Sequence, residues 1–286
     1  MKARVVLHKT RACGMLAGAV ALLLISAVFS GPAWAIVGGE PDGNRHPNVG
    51  AVIVYHPLYG VIPYFSGTLV HERVFLTAGH GVAPILSGEV TLLGVSFHPE
   101  VDLVDGKWLR VSKAVCNYEG FIGADPKRAD IALLVLEKPV KSVTPATLAS
   151  AGLLDELKST GLLEAGPEGT EFTVVGYGWG ADWPPPEPIN PVSPDGKALR
   201  NTAQIGYQGL NEGWLSASQN PATGYGGGSH GDSGGPAFWT DPLTGEETLV
   251  AIFIWGGSFE TGNSFYYRID TEESLRFIQD VIDSLK

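Results

Sequence analysis

The apolar positions of this chain fall into short runs separated by turn formers. From Val49 to Tyr55 and from Tyr64 to Leu76 the residues are apolar, β-branched or aromatic, and the runs are bounded by His-Pro, Pro and Gly. Such runs predict strands. Others follow over Val90 to Val95, Trp108 to Val115 and Ile131 to Leu136, with Lys138 to Pro145 as a connector. A second group covers Glu171 to Val175, Thr202 to Gly206, Ala237 to Trp239, Thr248 to Trp255 and Phe265 to Ile269. Helical spacing is rare. Ser150 to Lys158 predicts a short helix, and the C-terminus carries a full helix signature. There Asp270 or Thr271 caps, Glu273 or Ser274 follows in the first turn, and Leu275, Ile278, Ile282 and Leu285 recur at three-to-four spacing. Two groups of strands and a terminal helix suggest paired barrels. The proline-rich stretch from Ala181 to Pro194 reads as a stiff surface loop.

The first 35 residues follow a different pattern. Lys2, Arg4, Lys9 and Arg11 occur without an acid, an apolar run extends from Met15 to Phe29, and Ala33-Trp34-Ala35 places small residues at the −3 and −1 positions of a cleavage site. Residues 1–35 are therefore expected to be a signal peptide, and the product to be secreted, with no stable membrane association afterwards. The rival reading, a retained anchor, needs about 20 apolar residues, and this run is shorter. Cleavage after Ala35 leaves 251 of the 286 residues, beginning Ile36-Val37-Gly38-Gly39. Cleavage after Ala33 is the competing site.

Composition narrows the classes. The chain is 44% apolar and only 17% charged, which excludes disorder. Its 38 glycines and 20 prolines suit many turns better than a helix bundle. Loss of the four leader cations takes the net charge from −11 to −15, with no basic cluster left to contact phosphates, so no nucleic-acid partner is expected. Of the two cysteines, Cys13 lies in the leader. Cys116 alone can form neither an internal disulfide nor a zinc site, and it reads as a small buried hydrophobe.

The sharpest chemical signal is Gly231-Asp232-Ser233-Gly234-Gly235-Pro236. Glycines beside a serine allow a tight turn that exposes the hydroxyl and directs backbone N–H groups at one spot. Alone, the segment also fits a plain glycine-rich turn or the nucleophile elbow of α/β-hydrolases. Chain order separates these readings. An α/β-hydrolase needs its histidine after the serine, whereas His8, His46, His56, His71, His80, His98 and His230 all precede Ser233. Subtilisin order would have to use Asp42 with His80, and the surroundings of Asp42 and Ser233 do not fit it. The order histidine, aspartate, serine remains, and it selects Thr77-Ala78-Gly79-His80 and Asp130-Ile131-Ala132-Leu133.

With these segments, Ile36-Val37-Gly38-Gly39 at the start and Ile254-Trp255-Gly256 followed by Tyr266-Tyr267-Arg268-Ile269, the chain from residue 36 to 286 resembles the trypsin-like serine proteases of chymotrypsin fold. The resemblance implies an all-β chain of two six-stranded antiparallel Greek-key barrels with a C-terminal helix. The first barrel would span 36–140 with His80 and Asp130, and the second 141–286 with Ser233. It implies Ser233 as nucleophile, His80 as general base and acid, and Asp130 as the group that orients the imidazole. Gly231 and Ser233 would supply the oxyanion hole, and a freed Ile36 would pair with Asp232. It further implies polypeptide substrates, a cleft that protein inhibitors could also occupy, a monomer, and no cofactor.

The departures from the family are informative. Its usual bridge beside the catalytic histidine falls on Gly81 and Phe65, and at the specificity pocket Ser229 replaces a cysteine, with no partner between Gly256 and Asn263. The resemblance places Gly227 at the pocket floor, with Gly228, Gly256 and Ser264 in the walls and His230 and Trp255 beside the cleft. No fixed charge sits there, so an uncharged, medium to large apolar residue is expected before the scissile bond. Ile254 stands where the family often has a serine bonded to the aspartate. No metal site is read, and calcium through Glu89 or Glu100 is the nearest approach to one. The alternative function is a non-catalytic homologue that binds protein through the same cleft.

Overall fold

The computed structural model describes residues 36–120, 128–178, 196–256 and 262–286. The expected leader (1–35), the proline-rich stretch and part of the loop after Gly256 lie outside them.

In the first half, β2 (Val49–His56), β3 (Gly60–His71), β4 (Val74–Thr77), β5 (Thr91–Ser96), β7 (Val111–Tyr118) and β8 (Asp130–Leu136) form an antiparallel sheet in the order β5-β2-β3-β4-β8-β7. A single bridge, Val95 to Leu109, brings its two edges together. In the second half, β9 (Glu171–Gly176), β11 (Asn201–Leu210), β12 (Trp214–Ser218), β15 (Asn263–Arg268), β14 (Glu247–Gly256) and β13 (Pro236–Thr240) run in that order, and pairing of β9 with β11 closes a six-stranded barrel. The small sheet of β6 (Glu100–Asp102) and β10 (Lys197–Leu199) ties a loop of the first half to the approach to β11.

Strand alternation explains why the apolar runs are continuous. In β8, Ala132, Leu134 and Leu136 join the interior of the first sheet. Ile131, Leu133 and Val135 of the same strand join a separate core with Trp214, Phe238, Ile252 and Ile278 of the second half. Successive side chains point to opposite faces, and here both faces are buried. Strand β2 is divided likewise, with Val52 and Val54 on one face and Ala51 and Ile53 on the other. The central core therefore fixes the two halves against each other.

Several expectations are corrected. The run from Tyr64 to Leu76 is two strands, because Glu72 and Arg73 form a turn between His71 and Val74. Near residue 36, β1 (Glu40–Pro41) pairs with β11, so this segment extends the second sheet. Helix α1 (Gly79–Ser87) escaped sequence reading because it has no side-chain cap, no acid in its first turn and Pro84 inside it. The short helix predicted over Ser150 to Lys158 is α2 (Leu153–Ser159). In the terminal helix α3 (Glu272–Asp283), the Thr271 side chain caps by accepting from the Ser274 N–H; Ile278 of the predicted row is buried, Ile282 and Leu285 pack partly buried on the central core, and Ser274 and Val281 are buried beside them.

Candidate active site

Residues from both halves meet at His80. It is the second residue of α1, and close approach of this helix to β7 and β8 depends on Gly79. A Cβ there would lie 2.9 Å from Tyr118 Cβ and 3.0 Å from the Ile131 nitrogen. Asp130 opens β8 directly beneath. Its carboxylate accepts from the His80 backbone N–H at 2.8 Å and meets His80 Nδ1 at 2.9 Å. On the other side of the ring, Nε2 lies 2.9 Å from Ser233 Oγ. The Asp130 side chain is 6% exposed and that of His80 27%, so the acid is enclosed while the imidazole faces the cleft. Ile254, where a serine could have bonded the carboxylate, is buried in the central core, yet the two bonds from His80 orient Asp130.

Ser233 sits in a turn held from several directions. Gly231 and Gly234 have φ of 87° and 81°, in the left-handed region that favours glycine. A Cβ on Gly234 would also stand 2.5 Å from the Ala78 nitrogen and 2.6 Å from the Ser66 carbonyl oxygen. Ser66, in β3, is a residue that sequence reading missed. Its N–H donates to the Ser233 carbonyl at 3.0 Å, its hydroxyl donates to the Gly231 carbonyl at 3.1 Å, and its own carbonyl accepts from the Thr77 hydroxyl at 2.7 Å. Ser66 thus positions the serine turn of the second half against the residues that precede His80. No short motif surrounds it, because its role exists only across the two halves. Neither the Gly231 nor the Ser233 backbone N–H donates to another described residue.

Asp232 is buried, its carboxylate accepting from the Gly178 and Ser229 N–H groups at 2.8 and 2.9 Å. Ile36 is buried within the second barrel's core. The next residue, Val37, forms an antiparallel bridge with Gly227 through N–H to O distances of 3.0 and 2.9 Å. The segment after the expected leader is therefore in direct register with the expected pocket floor.

Around that floor the structure places Gly227 and Gly228 in buried positions, with the Phe253 ring 2.8 Å from where a Gly228 Cβ would be. Ser264 is buried and donates to the Ala217 carbonyl at 3.3 Å. Trp255 stacks on Phe265 with ring centroids 4.2 Å apart, and His230 is exposed at the edge. The side chain between Gly227 and Gly256 is Gln219, at the exit of β12, which sequence reading did not single out. A buried polar side chain thus lies against two of the glycines that the resemblance assigns to the pocket.

Cys116 is half-buried rather than fully buried, with its Sγ 3.4 Å from the Gly79 carbonyl oxygen. Burial and then the nearby Asp130 charge push its thiol up to about 11. Glu89 accepts from Ser87 and Glu100 pairs with Lys197, so each of the two acids considered for calcium has a local partner.

A β-protein of one closed six-stranded barrel and one half-barrel sheet, with histidine, aspartate and serine converging between its halves, has the architecture of the chymotrypsin-fold serine proteases. The chain matches the Trypsin family model over residues 56–275 and belongs to the trypsin family. No curated protein matches it. No helix of the described residues is long and apolar enough to cross a membrane.

Proposed function

We propose that the chain is a secreted serine endopeptidase that hydrolyses peptide bonds through an acyl-enzyme. The observation that carries this reading is the hydrogen-bonded sequence from Asp130 through His80 to Ser233, 2.9 Å on each side of the ring. Asp130 accepts from Nδ1–H, which leaves Nε2 as the acceptor for the serine proton. Ser233 Oγ attacks the substrate carbonyl while His80 takes that proton, and His80 then delivers it to the leaving amine. Water repeats the attack with His80 as base, and the acid product leaves with Ser233 restored. The N–H groups of Gly231 and Ser233 serve the oxyanion, where losing one donor typically costs about 10²- to 10³-fold in rate. Gly227, Gly228, His230, Trp255, Gly256 and Ser264 line the substrate cleft. The preceding substrate residue is uncharged, since a buried cation there would lack a carboxylate partner.

Maturation fits the same reading. Cleavage after Ala35 frees the Ile36 ammonium to pair with the buried Asp232 carboxylate, so removal of the leader would itself create the active start without a separate activating protease. N-terminal sequencing of secreted protein is expected to return Ile-Val-Gly-Gly, and a chain starting at Trp34 would sink this route. The decisive test of activity is fluorophosphonate labelling of folded, processed protein. Labelling of wild type and its loss in Ser233→Ala is the expected result, with peptide hydrolysis falling by at least about 10⁴-fold. Absence of labelling in the wild type would favour a protein-binding homologue instead.

A further inference from the structure

Gln219 is fully buried, yet neither its Oε1 nor its Nε2 has a hydrogen-bond partner among the described residues. Buried amides are normally paired, because leaving one unsatisfied forfeits the hydrogen bonds it made to water. Its backbone is well anchored by an N–H to Gly262 O bond of 2.9 Å. The side chain runs along Gly227, where any added Cβ would collide with it, and ends with Nε2 2.9 Å from where a Gly256 Cβ would stand. Gly227 and Gly256 belong to the two backbone segments that flank the proposed substrate pocket. Gln219 therefore occupies the depth that a long side chain would need, and its amide donor and acceptor have no partner there among the described residues.

We propose that Gln219 determines the specificity of this cleft, and that the substrate residue before the scissile bond is short, uncharged and hydrogen-bonding. The primary amide of asparagine matches both unused groups, and the hydroxyls of serine and threonine are the next best match. Long chains such as phenylalanine, lysine or arginine find the depth filled. Short apolar chains fit the space but leave the buried amide unsatisfied, and a site built to hydrogen-bond discriminates strongly against analogues that cannot. This inference rests on the peptidase reading above and replaces its broad uncharged preference with a defined chemical class.

The test uses secreted, processed protein and peptides that differ only at the residue before the cleaved bond. Fluorophosphonate titration counts competent enzyme in each preparation. Wild type is expected to cleave after Asn faster than after Leu, and after Thr faster than after Val, by about 10- to 100-fold in kcat/KM. Gln219→Leu keeps the volume and removes the amide, so both ratios should collapse toward one. Gln219→Ala empties the depth, so cleavage after Phe should rise relative to wild type. Fastest wild-type cleavage after Leu, Phe or Arg would overturn the proposal, as would Asn/Leu and Thr/Val ratios that survive Gln219→Leu. A wild type that takes no fluorophosphonate would instead overturn the peptidase reading itself, and the specificity proposal with it.

Discussion

Two regions of this molecule correspond to places where trypsin-like proteins usually close a disulfide, and they are built in opposite ways. Beside His80, the Phe65 ring lies against Gly81, and a Cβ on that glycine would stand only 2.8 Å from the ring. An apolar contact inside the first sheet's core takes the place of the bridge. At the proposed pocket, Ser229 hydrogen-bonds the Asp232 carboxylate, and a fully buried Gln219 packs on Gly227 and Gly256 with its amide unpaired. The first region holds itself together by burial, which needs no ligand. The second is polar and incompletely satisfied, a state that suits a binding surface better than a stabilising core.

The comparison can be broken most directly at Phe65. Phe65→Ala removes a fully enclosed ring from the first core and should cost about 3–5 kcal/mol in denaturant unfolding. A loss below about 1 kcal/mol would mean that the ring does not replace the bridge. Gly81→Ala should cost about 1–3 kcal/mol through overpacking, and much less in a Phe65→Leu background where the neighbour has room to give. Gly227→Ala offers the matching experiment at the pocket. It should destabilise by about 1–3 kcal/mol and become nearly neutral when combined with Gln219→Gly, because the added Cβ would collide with both Oε1 and Cβ of Gln219, and glycine removes both. Equal cost in both backgrounds would place the strain elsewhere.

A further effect concerns the segment that leads from Ile36 into the second sheet. His46 is buried between Asp42 and Glu247, and Arg200 Nε donates to Asp42 at 2.7 Å. Burial opposes the charged imidazole, but its hydrogen bonds to Asp42 and Glu247 outweigh this and hold the His46 pKa at about 9, against 6.5 ordinarily. Burial likewise opposes the Asp42 carboxylate, and hydrogen bonds from His46 and Arg200 outweigh it to hold the pKa at about 2, below 3.8. The histidine contribution is complete below pH 6.5 and disappears as pH rises through 9. The aspartate contribution is complete above pH 3.8 and disappears as pH falls through 2. Thermal stability should therefore decline between pH 6.5 and 9, and His46→Gln should flatten that decline. An unchanged alkaline slope in the variant would remove His46 from the account. The smallest effect is at Cys116. Its thiol, held near 11, should alkylate slowly at pH 7.5 in the folded protein and rapidly after unfolding.

Much of the architecture was legible because burial of both strand faces leaves long apolar runs, and β8 is the clearest case. The weak elements were illegible for equally physical reasons. Strand β12 (Trp214–Ser218) mixes small and polar residues, and its pairing with β11 and β15 comes from neighbours distant in sequence. At the site, order and spacing of motifs picked out His80, Asp130 and Ser233, which the fold brings within hydrogen-bond distance, since the chemistry proposed for them restricts each to a particular residue type. Ser66 and Gln219 were not picked out. Each belongs to a common polar type in an ordinary strand or strand end, and each acts only through contacts across the fold.

The sequence by itself determined the paired strand groups, the terminal helix, the family resemblance and the three residues whose chemistry cannot be supplied by other types. Only the tertiary structure decided that Val37 pairs with Gly227, that Ser66 brackets the serine turn, and that an unpaired amide lies against Gly227 and Gly256. Periodicity and residue type record which surfaces must be buried and which chemistry is available. They do not record which distant backbones approach closely enough for a glycine, a serine hydroxyl or a glutamine amide to matter.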